Sequence, residues 1–224
     1  MAKPQTPRKE PPEDIKKRAR RISTRLRKTY PDAKTALKHD GAFQLLIATI
    51  LSAQCTDDMV NKVTPTLFAK FPDARACAAA GQTDVESIIH STGFFRQKAR
   101  SIINCSRALM ERHGGELPES MEELTKLPGV GRKTANLIRG CAMGHPGIIV
   151  DTHFKRLVGR MGLTGNTNPD KIEHDIAALL PPSHWTEFSN AMIWHGRRIC
   201  PARKPKCNEC PIVKDCEFGR EQRA

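Results

Sequence analysis

The sequence has no apolar run of about 18 residues, the length a helix needs to cross a bilayer, so no membrane partner is expected. Ala42 to Ala53 is apolar but too short, and reads as a buried core helix. The N-terminus is basic and lacks the apolar stretch of a secretory signal. Alternating strand patterns are also missing, since Ile148-Ile149-Val150 is too brief to count, which leaves an all-α chain. A disulfide framework is equally unsupported. Of eight cysteines, Cys55, Cys77, Cys105 and Cys141 are scattered and four crowd one short segment. That distribution suits a reducing compartment, and a cytoplasmic location (nucleoid-associated if bacterial) is expected. Acidic residues are scarce: 24 against 37 Lys and Arg, a formal +13. A polyanionic partner follows.

The positive charge is uneven. Residues 1–30 hold eleven basic and three acidic residues, a net +8, and residues 196–224 hold eight and four, a net +4. If the two ends meet in space they make one basic lobe. The plainer alternative is that basic tails only keep the protein soluble.

Met1 to Glu13 is rich in Pro, Lys and Arg and is expected as a disordered basic tail. Ile15, Ile22, Leu26 and Tyr30 then share one face of a basic helix ending at Pro31. Further helices are predicted over 41–53, 57–71, 73–80 and 83–91, with Gln54 directly after the first of them. Gly93-Phe94-Phe95-Arg96 is a short loop, followed by a longer amphipathic helix that Gly114-Gly115 terminates. Helices are also predicted over 119–126, 134–143, 152–161, 170–180 and 186–197.

The chain is organised around Leu127-Pro128-Gly129-Val130-Gly131-Arg132-Lys133-Thr134-Ala135. Two short helices flank a turn whose two glycines let backbone N–H groups point outward together. Those groups stand at a helix start, where the macrodipole favours an anion, so the turn can hold a phosphate without reading a base. Lys133 follows in the first helical turn. The dipole and desolvation against packed helices both favour its free amine, which is a nucleophile. A lysine at such a place is otherwise a phosphate contact.

Asp151 stands 18 residues later, in Val150-Asp151-Thr152-His153, where it can cap the next helix. His153 reads as a site or DNA-contact residue, or as an ordinary polar helix residue. Cys200, Cys207, Cys210 and Cys216 lie within 17 residues. Four thiolates so close suit either zinc or a [4Fe–4S] cluster, and having only one Cys-x2-Cys pair leans toward the cluster. Arg197, Arg198, Arg203, Lys204 and Lys206 lie on or beside that loop as phosphate contacts.

These three motifs, in this order, resemble the endonuclease III family of DNA glycosylases, from about Ile15 to about Phe218. The resemblance implies the helix-hairpin-helix DNA glycosylase fold: two helical domains with a DNA-binding groove between them. Residues 35–145 would form a six-helix domain containing the hairpin, and 14–34 plus 146–224 a discontinuous domain bearing a [4Fe–4S] cluster on the four cysteines. It implies a monomeric, bifunctional DNA glycosylase and abasic-site (AP) lyase that removes oxidised or damaged pyrimidines from duplex DNA. Lys133 would form a Schiff base with the sugar and cut the strand by β-elimination. Asp151 would stabilise positive charge on the sugar and assist proton transfer. Gly129, Val130, Gly131 and Arg132 would hold the DNA backbone, with His153, Arg197 and Lys206 as further contacts. Extruding a base leaves a hole. Gln54 matches the residue that fills it, and Phe94 the wedge beside the orphaned base, although Phe94 also reads as a core aromatic. Two other functions fit parts of the sequence. Monofunctional mismatch adenine glycosylases share the core and cluster but usually lack the lysine. A non-catalytic helix-hairpin-helix module needs neither Gln54 nor the aspartate segment.

Overall fold

The structure is a computed structural model describing residues 10–222, which contain α-helices, short 3-10 turns and no strand. The chain divides into two compact units: one built from residues up to Lys34 and from Ile148 onward, the other from Thr35 to Gly147. Residues 1–9 of the expected tail lie outside the described residues. Pro12 and Glu13 already belong to the first helix.

The middle unit holds α2 (Gly41–Leu51), α3 (Asp57–Lys70), α4 (Ala74–Ala79), α5 (Gln82–Ile89), α6 (Phe95–His113), α7 (Met121–Thr125) and α8 (Arg132–Ala142). That makes seven described helices where the resemblance implied six, α7 being only five residues long. α2 is apolar on all sides because it packs on α3, α6 and α8 together, burying Leu45 through Leu51. Burial of its leucines and isoleucines stabilises this unit by about 1.5–3 kcal/mol per side chain. α6 has a buried stripe that includes Ala99, Ile102, Ile103 and Leu109, set against α4 and α5. It ends at Gly114 in the left-handed region, as Gly114-Gly115 predicts.

The other unit holds α1 (Pro12–Thr29), α9 (Thr152–Arg160), α10 (Pro169–Leu179), α11 (Trp185–Arg198) and α12 (Glu217–Glu221). Its core joins Ile22 and Leu26 of α1 to Phe154, Leu157 and Val158 of α9 and to Phe188 and Met192 of α11. The basic helix α1 is therefore tied to the C-terminal segment. Its Arg18 is 2 % exposed. That guanidinium donates to the carbonyls of Met161, Asp215 (3.0 Å) and Gly162 (3.1 Å) and pairs with Glu10 at 2.6 Å. Arg21 and Arg25 both pair with the Asp215 carboxylate at 2.9 Å. No described helix is long and apolar enough to cross a membrane.

Candidate active site and cysteine loop

The middle unit carries the glycine turn. Leu127 and Val130 are buried and anchor it from beneath, while Pro128, Gly129 and Gly131 face solvent. The Val130 amide donates to the Leu127 carbonyl at 3.1 Å. With its amide so used and its side chain in the core, Val130 shapes the turn. Only Gly129 uses a left-handed backbone, at φ 80°. Gly131 is extended at φ −90°, and nothing lies within 4 Å of where a Cβ would stand. The glycine there leaves open space in front of a helix start.

That helix, α8, begins at Arg132, two residues before its predicted start, with Gly131 as N-cap and no side-chain capping bond. Lys133 is thus its second residue and is exposed. Its side chain is not packed against neighbouring helices, contrary to what the sequence suggests.

Two other corners of this unit have unusual backbones. Gln54, just beyond α2, is exposed at φ 52°, and Phe94, just before α6, is at φ 47°. Left-handed backbone is uncommon for non-glycine residues and marks positions worth functional attention. Phe94 is 62 % exposed, so it is not a core aromatic. Thr56 caps α3, its hydroxyl accepting the Met59 amide at 3.3 Å.

In the other unit, Ile148, Ile149 and Val150 are buried and deliver Asp151 to the start of α9. The Ile149 amide is held by the Ser189 hydroxyl at 3.0 Å. Asp151 caps α9, its carboxylate accepting the Phe154 amide at 2.7 Å. His153 is half-buried, and burial lowers its affinity for a proton. Arg156 and Arg197 push the same way, while Asp151 and a hydrogen bond with the Gly196 backbone oppose them. Arg156 joins this segment to the cysteine loop. It approaches His153 Nδ1 at 3.2 Å and donates to the carbonyls of Gly196 (3.2 Å) and Cys200 (2.9 Å). Lys133 and Asp151 belong to different units.

Cys200, Cys207, Cys210 and Cys216 line one small cavity. Among the described residues, no group of three or more His, Cys, Asp or Glu is set to hold a metal ion. Burial pushes the Cys210 thiol up to about 11, with the other three cysteines adding to it. Arg160 donates to Cys200 Sγ at 3.1 Å, and the Gly219 amide to Cys216 Sγ at 3.4 Å. His195, buried and held neutral by desolvation, places Nε2 3.5 Å from Cys210 Sγ, and its Nδ1 lies 3.0 Å from the Tyr30 hydroxyl. Arg197 and Lys206 are exposed beside this loop.

Sequence reasoning missed Arg156, Arg160 and His195. The signal for the two arginines was their one-turn spacing on α9, which turns both toward the cysteine loop.

Residues 47–182 match the family described as HhH-GPD superfamily base excision DNA repair protein. Endonuclease III of Synechocystis sp. is 51% identical over 202 residues, covering 90% of this chain and 92% of that protein. A non-covalent endonuclease III–DNA complex superimposes with TM-score 0.87 at 39% identity, covering 93% of this chain and 98% of that one. A trapped endonuclease III–DNA covalent intermediate, with an estranged adenine, gives TM-score 0.88 at 38% identity, covering 93% and 99%.

Proposed function

The chain belongs to the HhH-GPD superfamily of base excision DNA repair proteins, in its endonuclease III branch, and from that premise we propose how its residues work. The protein is a bifunctional DNA glycosylase and AP lyase of base excision repair. Its substrates are oxidised or ring-damaged pyrimidines in duplex DNA.

The Lys133 amine attacks C1′ of the damaged nucleotide. The C1′–base bond breaks, the electron pair leaves with the base, and the proton lost from the amine passes to the departing base. Ring opening yields a Schiff base that acidifies the 2′ position. Loss of a 2′ proton then expels the 3′ phosphate by β-elimination. Asp151 stabilises positive charge on the sugar as the base departs and takes part in proton transfer. The single observation that carries this reading is Lys133 in the first turn of a helix whose entrance, at Gly131, is open. Outward amides around Gly129 and Gly131 grip a phosphate there while the lysine reaches the sugar. Gln54 and Phe94 enter the space left by the extruded base.

The four cysteines line one cavity, though not set as a ligand group in this structure, and would hold a [4Fe–4S] cluster. Thiols crowded in one half-buried cavity resist ionising together, and the charge of a bound cluster would relieve that repulsion. N–H donors from Arg160 and Gly219 suit ligating sulfurs. When bound, the cluster cross-links the loop that displays Arg197 and Lys206. Freshly purified protein is expected to be brown and to contain roughly four iron atoms per chain. Zinc in place of iron, by elemental analysis, would overturn the assignment.

A panel of duplex oligonucleotides, each with one damaged base opposite each normal base, tests the function. Cleavage is expected at oxidised pyrimidines, leaving a sugar fragment on the 3′ end. Base release without strand cleavage would instead indicate a monofunctional glycosylase, and DNA binding with neither reaction a simple DNA-gripping module.

A further inference from the structure

Lys98 is a buried cation that the reaction leaves unused. It lies on α6 and is 4 % exposed. Its ammonium donates to the Thr92 carbonyl at 2.8 Å, and its own amide donates to the Phe94 carbonyl at 3.0 Å. One residue therefore ties both sides of the Gly93–Phe94 corner.

That corner needs tying. Gly93 (φ 69°) and Phe94 (φ 47°) are both left-handed, and a non-glycine residue held so costs on the order of 1 kcal/mol or more. Phe94 is the N-cap of α6 and offers its helix no side-chain bond. Its ring is mostly in water, so packing does not hold it. Thr92, by contrast, is fixed: it is buried, and its hydroxyl donates to the Ile89 carbonyl at 2.8 Å. Lys98 transmits that rigidity to the corner.

Burial lowers the proton affinity of Lys98. The folded chain binds that proton less tightly than the unfolded chain does. At neutral pH the charge therefore weakens the fold, and the loss fades only as pH rises through the folded lysine's range. An apolar side chain of similar length would serve stability as well or better.

We propose that Lys98 is a positioning residue, holding the Thr92–Phe94 corner rigid so that Phe94 enters the duplex as the damaged nucleotide leaves. This rests on the role given above to Phe94. It predicts a split between steps that need extrusion from a paired duplex and steps that do not.

The test uses the full-length, cluster-loaded protein and Lys98→Met. Single-turnover base release from an oxidised pyrimidine in fully paired duplex is expected to fall about tenfold to a hundredfold, the range for a displaced positioning group. Strand cleavage at a preformed abasic site facing a baseless position has no orphaned base to wedge against, and is expected to stay within about twofold. The melting temperature should hold or rise. In the Phe94→Ala background, Lys98→Met should add little further loss, since both act through one ring. Equal losses on both substrates, full multiplication of the two variants' effects, or unchanged base release would each overturn the proposal. If Lys98→Met fails to fold, the same split, smaller in size, is read in Lys98→Gln, whose shorter side chain brings its N–H donor less close to the Thr92 carbonyl. Wild-type protein inactive on both substrates would overturn the function itself and this proposal with it. An active wild type with equal losses overturns the Lys98 role alone.

Discussion

Lys133→Gln is expected to abolish the covalent enzyme–DNA adduct that borohydride traps, and to reduce strand cleavage by on the order of 10³-fold or more. The substitution removes the one lone pair that can form an imine and little else. Lysine and glutamine have similar helix propensities, so α8 should still begin at Arg132. Lys133 is exposed, so no core contact is lost. The turn beneath it is held by buried Leu127 and Val130, neither of which changes. Binding to an uncleavable abasic analogue should therefore survive while trapping disappears. A persistent adduct in the variant would remove Lys133 as the nucleophile and point to another amine.

The setting of Lys133 is legible because it is contiguous: helix, glycine turn and helix follow one another within a few residues. The place of Asp151 at a helix start and the crowding of the four cysteines are legible for the same reason. The sequence was less informative where a side chain's surroundings come from distant segments. Arg18 sits in a run of basic residues that reads as a solvated face, yet Met161, Gly162 and Asp215 supply the carbonyls that bury it. Only its register with Ile15, Ile22 and Leu26 hinted at an inward position. Lys98 carries a similar signal. It falls on the stripe of Ile102, Cys105 and Leu109, and a lone lysine on an apolar stripe asks for a buried partner. Phe94 could not be assigned from pattern alone, because an aromatic before a helix suits core and surface equally. Its exposure, invisible in sequence, carries the distinction. The two glycines of the hairpin looked equivalent, but φ separates them: Gly129 is needed by the chain, whereas Gly131 leaves room for what approaches it.

Asp151→Asn should slow base release by about 10²- to 10³-fold, the range for removing one preorganised electrostatic contact from a transition state. The choice of asparagine decides what the result means. Asp151 caps α9 through the Phe154 amide, and asparagine caps a helix about as well as aspartate. The variant therefore keeps the start of α9, with its Arg156 link to Cys200, and loses only the charge. Melting should be nearly unchanged. Asp151→Ala removes charge and cap together, and should cost about 1 kcal/mol of stability besides the same loss of rate. In a chain of this length that lowers the melting temperature by roughly 2–4 °C. Cleavage at a preformed abasic site should suffer less than base release in Asp151→Asn, because no base has to depart. A full-speed Asp151→Asn beside a slow Asp151→Ala would reduce Asp151 to a helix cap. The charge that stabilises the departing base's sugar would then have to come from another group.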